Sequence, residues 1–163
     1  MKKLPLIAAA LLILSACSKD SDALENTSWK WSSESTSIWV ETGEVADVRS
    51  NSFEIKFDSP THGHAYLHYS FTNYWNDTPI TNSLYGVFEV SYSYNGEEKE
   101  GAITFIKEHC EGENYADEYL AEFWNDPITS SFYLYADDGK MFLYSCPSDM
   151  AYYNTHQIIL TKE

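Results

Sequence analysis

Positive charge is scarce in this chain. Ten Lys and Arg residues stand against 25 Asp and Glu, a net charge of −15 over 163 residues. No basic run could neutralise phosphates, so nucleic acid and anionic lipid headgroups are repelled rather than bound. A long hydrophobic run is missing too. The opening run, Leu6 to Leu14, is nine residues, and a membrane-spanning helix needs about 20. Also missing are a nucleophile elbow, a phosphate loop and a zinc-protease helix. The acidic pairs Asp20/Asp22, Glu97-Glu98 and Asp137-Asp138 lack the spaced ligand loop of a calcium hand. Nothing here reads as catalytic or as a cofactor or metal site.

What is present begins at the first residues. Lys2 and Lys3 precede the apolar run, which closes on Leu14-Ser15-Ala16-Cys17. Charge, apolar length, small residues and cysteine fall in the order of a bacterial lipobox, and the segment resembles that of bacterial lipoproteins. The resemblance implies removal of residues 1–16 as a signal peptide and acylation of Cys17 with palmitate-type chains. Several acyl chains hold a protein firmly to a membrane, at about 0.8 kcal/mol per buried methylene. Ser18-Lys19-Asp20-Ser21-Asp22 resembles the acidic export signal of Bacteroidetes-type surface lipoproteins. It implies an outer-membrane protein facing outward from the cell, with periplasmic-facing anchorage as the alternative. Residues 17–26 then form a flexible tether and 27–163 one domain. Removing 1–16 takes two lysines and no acids, which leaves 8 basic and 25 acidic residues and a net charge of −17.

The remaining chain is rich in tyrosine and tryptophan, 13 and 5 of them, which suits strands because aromatic side chains fit a pleated surface. Period-two alternation recurs. Phe53, Ile55 and Phe57 share one face; so do Ala65, Leu67, Tyr69 and Phe71; so do Phe88, Val90, Tyr92 and Tyr94; so do Ile103 and Phe105. Asn95-Gly96 and Asp138-Gly139 supply turn chemistry between such runs. Eight to ten strands without long helices predict an all-β antiparallel meander, closed as a barrel or folded as a sandwich. One stretch, 115–124, has apolar residues at helical spacing, with Asn114 as a cap and Asn125-Asp126-Pro127 as a stop. It predicts a short helix.

A repeat lies in this pattern. Trp75-Asn76-Asp77-Thr78-Pro79-Ile80-Thr81 returns as Trp124-Asn125-Asp126-Pro127-Ile128-Thr129. Two strands separate the copies if 115–124 is not a strand, so both copies are expected on one rim. Cys110 and Cys146 are expected on that rim as well. Their compartment is oxidising, and a disulfide between them is the simple expectation. Indole faces beside Asn and Asp suit a sugar, which offers an apolar face and hydroxyls. The alternative is that Asn-Asp-Pro makes a turn while each tryptophan packs in the core. His62, His64 and His68 share one strand face, but zinc wants three or four ligands converging from different segments.

Leu24 through Trp31, the hairpin around Tyr135 to Met141, and Ile159-Leu160-Thr161-Lys162 resemble the lipocalin-like small lipoproteins of Bacteroidetes. That resemblance implies a barrel and a binding role rather than catalysis. Three functional expectations follow. A small apolar ligand sits in the barrel interior; or a glycan or envelope protein is held by rim aromatics around Trp75, Asn76, Asp77, Trp124, Asn125 and Asp126; or the domain only packs against other envelope proteins.

Overall fold

The computed structural model describes residues 24–75, 78–115, 120, 122–135, 139–148 and 158–163. Eight antiparallel strands run in chain order: β1 (Thr27–Ile38), β2 (Val45–Phe57), β3 (His62–Asn73), β4 (Ile80–Asn95), β5 (Glu100–Glu113), β6 (Ile128–Tyr135), β7 (Lys140–Leu143) and β8 (Ile158–Lys162). Each pairs with the next, and β8 returns to β1, closing a lipocalin-like barrel. Closure removes the exposed sheet edges that an open meander would leave.

The alternation read from the sequence sets the two faces. Phe53, Ile55 and Phe57 point inward while Glu54 and Lys56 point out and form an ion pair at 3.1 Å. Aromatic rings fill the interior from wall to wall. Phe53 on β2 meets Phe105 on β5 at 5.7 Å, and Phe57 meets Tyr92 on β4 at 4.5 Å. Phe88, Phe132, Leu67, Ile103, Met141 and Leu143 complete the packing, all fully buried. This is a side-chain core of the kind small eight-stranded barrels build.

The barrel has two unlike rims. The near rim carries the start of β1 and the ends of β2, β4, β6 and β8; the far rim carries the β1–β2, β3–β4, β5–β6 and β7–β8 connections. Toward the far rim the wall is incomplete. The last register pair of β5 with β6 is Phe105 with Ile128, so β5 continues to Glu113 without β6 beside it. β1 meets β8 only at Trp29–Lys162 and Lys30–Thr161.

One expectation is corrected. The body begins before residue 27. Leu24, assigned to the tether by sequence, is fully buried, its carbonyl accepts the Thr27 N–H at 3.1 Å, and the Asn26 N–H donates to Phe57 at 2.7 Å. The predicted helix is present only at Leu120 and Glu122 among the described residues; 116–119 and 121 lie outside them. Of the turns, Asn95-Gly96 opens a longer loop, in which Asn95 Oδ1 accepts the N–H groups of Glu97 and Glu98. Residues 136–138 of the other turn lie outside the described residues, as do the signal peptide and Cys17.

Candidate functional site at the far rim

The far rim gathers exposed apolar side chains from two neighbouring connections. The β1–β2 hairpin ends in Ile38-Trp39-Val40. The Trp39 N–H donates to the Glu44 carbonyl and the Gly43 N–H to the Trp39 carbonyl, both at 2.8 Å. Gly43 sits at φ +75°, in the left-handed region where a glycine carries no side-chain penalty. A register shift at Ser37/Ile38 leaves Ala46 unpaired and twists the tip. The β3–β4 connection is held in turn. Asn73 Oδ1 accepts the Trp75 N–H at 2.7 Å, and the Tyr74 N–H donates to Ala46 at 3.0 Å. The two loops therefore share β2 as a support.

On that support Trp39 and Trp75 come together with ring centroids 5.9 Å apart and planes tilted by 49°. Trp39 is 45 % exposed and Trp75 63 %. Ile38, Val40, Val45, Tyr74 and Ile80 are exposed around them. Seven large apolar side chains on one rim form a patch of the kind that marks an interaction surface. Just below lies a polar layer. Asp47, buried, accepts from Ser37 Oγ at 3.1 Å and from Arg49 Nε at 3.2 Å, and the Arg49 guanidinium lies 5.0 Å from the Phe71 ring centre. Burial pushes the Tyr69 hydroxyl above its usual range, Arg49 pulls it back, and Asp47 pushes it up again. These groups fix β2 and β3 beneath the tip.

The second Trp-Asn-Asp copy lies on the same rim, as parity requires, but it does different work. Trp124 is 3 % exposed and packs on Phe88 edge to face at 5.1 Å. Its Nε1–H donates to the Pro147 carbonyl at 3.0 Å. Its ring fills the space beside Gly86, where an added Cβ would lie 3.0 Å from it. Asn125 Oδ1 and the Phe123 carbonyl both accept from Lys107 Nζ, at 2.9 and 2.6 Å. Asp126 is exposed, and Asn76 and Asp77 lie outside the described residues. Trp124 and Asn125 thus close the barrel rather than joining Trp75. Trp39 takes the place expected of Trp124. The signal for it was an apolar triplet, Ile38-Trp39-Val40, running into Glu41-Thr42-Gly43-Glu44, where a hairpin tip should be polar.

The expected disulfide between Cys110 and Cys146 is not found. Both belong to the far-rim end, and the Trp124 indole touches the surroundings of each. It covers Gly86, the register partner of Cys110, and bonds Pro147, the neighbour of Cys146. Cys146 is buried and its sulfur lies 2.6 Å from Ser148 Oγ. Burial pushes the Cys110 thiol up, Lys107 draws it down and Glu111 raises it again. A raised thiol is a poor nucleophile at neutral pH.

His62, His64 and His68 do share the outer face of β3. His64 Nδ1 pairs with Asp58 at 2.7 Å and His62 Nδ1 with Thr61 Oγ1 at 2.7 Å. Among the described residues no three His, Cys, Asp or Glu side chains converge as metal ligands. Comparison with protein-family models, curated proteins and solved structures finds no match to this chain.

Proposed function

We propose that this chain is a lipid-anchored envelope module that binds a partner protein through its far-rim tip and carries out no catalysis. One observation carries the reading: Trp39 and Trp75 stand in contact on the surface, ringed by Ile38, Val40, Val45, Tyr74 and Ile80. Tryptophan dominates protein-interface energetics, and aliphatic neighbours exclude water around it. Aliphatic Ile38, Val40, Val45 and Ile80 around the rings suit an apolar protein surface. A ligand inside the barrel gains no support, because Phe53, Phe88, Phe105 and Phe132 already occupy that space. Anchorage through Cys17 agrees with the tip's position. The described chain enters at the near rim, at Leu24, and the tip lies at the opposite end.

The test is photo-crosslinking in the native host, with the probe placed at Val40 or, as a comparison, at Ser91 on the outer wall. A discrete protein adduct from position 40, lost with Trp75→Ala, supports the reading. Equal adducts from both positions, or none from position 40, reject it. Mass spectrometry of the same material gives a molecule lacking residues 1–16 and carrying acyl chains on Cys17; an unprocessed chain rejects the anchor.

A further inference from the structure

A second site lies on the outer wall near the opposite rim, away from the tryptophans. A groove of about 610 Å³ runs beside the end of β4, the start of β5 and β6. Its walls include Asn95, Glu98, Glu100, Ser131, Tyr133 and Tyr144, with no lysine or arginine among the lining residues. That volume falls in the size range of small-molecule sites, about 300–1,000 Å³.

The aromatic wall is built, not incidental. Strand parity sends Phe132 inward and Tyr133 outward, and likewise Leu143 inward and Phe142 and Tyr144 outward. Tyr133 stacks on Phe142 at 4.8 Å with planes 23° apart, and Tyr144 lies 6.1 Å from Tyr133 and 5.3 Å from Phe142. The Tyr133 and Tyr135 hydroxyls are 2.9 Å apart. That hydrogen bond is the main reason the Tyr133 hydroxyl is pushed up to about 12, with desolvation and the charges of Tyr135 and Tyr144 adding to it. The Tyr133 hydroxyl therefore stays protonated at physiological pH.

The facing wall is acidic. Glu100 is the register partner of Tyr133, so a carboxylate and an aromatic ring sit side by side across β5 and β6. Glu98 is held by the Asn95 amide, which donates to it at 2.9 Å. The whole chain carries −15. A ring face attracts a cation through its quadrupole, and a cleft lined by one sign of charge concentrates the opposite ion.

We infer that this groove binds a small organic cation, an amine or guanidinium, between the Tyr133 and Tyr144 rings and the Glu98 and Glu100 carboxylates. Charge complementarity favours this class over a neutral sugar. The site is independent of the tip.

The experiment is calorimetric titration of the full chain in detergent with agmatine, with 1,5-pentanediol as a neutral probe of similar length and maltose as a neutral sugar. Agmatine binds and the neutral probes do not. Affinity falls about tenfold in Glu98→Gln/Glu100→Gln through lost ion pairing. It is unchanged in the control Glu34→Gln/Glu108→Gln, which removes the same charge elsewhere on the surface. Tyr144→Phe keeps the affinity and Tyr144→Leu lowers it about fivefold through loss of the ring. Melting curves of each variant separate lost binding from lost folding. If maltose binds better than agmatine, or if both double variants weaken agmatine equally, the assignment is overturned. If no heat is detected with agmatine on the folded wild-type chain, it is overturned as well.

Discussion

The tryptophans of two segments with nearly the same sequence end in opposite environments. Trp75 stands exposed just beyond β3, beside strands of 12 and 16 residues, β3 and β4. Trp124-Asn125-Asp126 leads into β6, which has 8 residues, and β7 has 4. Trp124 lies before β6, toward the stretch of β5 beyond Phe105 that β6 does not pair. An indole placed there meets Phe88 and Gly86; one placed beside β3 meets water and Trp39. Local sequence chose the turn. The surroundings, Gly86 and Phe88 for one ring and Trp39 for the other, decide where the ring lies.

Substitutions can break or sharpen this contrast. The largest effect belongs to Trp124→Ala, which empties a buried site and is expected to cost about 3–5 kcal/mol in urea unfolding. A loss under 1 kcal/mol would show that the two tryptophans are equivalent after all. Gly86→Ala is next. The added methyl meets the Phe88 and Trp124 rings at 2.9 and 3.0 Å, and overpacking of this kind costs about 1–3 kcal/mol. Combining it with Trp124→Phe should return part of that loss, and strict additivity in the double-mutant cycle would argue against direct contact. Lys107→Met removes the ammonium that holds Phe123 and Asn125. It is expected to cost about 1 kcal/mol, with the second segment fraying first in hydrogen exchange. Trp75→Ala comes last, within about 0.5 kcal/mol of wild type. Acrylamide quenching should reach the fluorescence of Trp75 and spare that of Trp124.

The same contrast marks how far the sequence could be read. Period-two runs such as Phe53-Ile55-Phe57 and Ala65-Leu67-Tyr69-Phe71 identified the strands and their inner faces, because the pleat sends alternate side chains to opposite sides. Counting strands put both tryptophan segments on one rim, which holds. The orientation of Trp124 was not legible. It depends on a positive φ of 53° at a non-glycine residue and on the space left by Gly86, some 40 positions away. The disulfide expectation failed for a related reason. Compartment chemistry says whether two thiols would oxidise and parity says which end they share, but neither says whether the two side chains meet. Leu24 was misassigned because three polar or charged neighbours, Asp22, Glu25 and Asn26, outweighed one leucine in a reading by composition. Trp39 went unnoticed because a hairpin tip is expected to be polar, and a breach of that rule is itself the signal of a surface kept apolar for use.

The seam between β1 and β8 has a consequence for how the molecule comes into being. Trp29 and Lys162 are neighbours in the wall but 133 positions apart along the chain. Only two register pairs join these strands, against twelve between β1 and β2. Bringing such distant pieces together costs loop entropy before any contact repays it, and among the strand pairings this one spans the longest stretch of chain. A chain that has not yet received β8 presents a raw flank on β1, open to another unfinished copy. That exposure ends once Thr161 and Lys162 pair with Lys30 and Trp29.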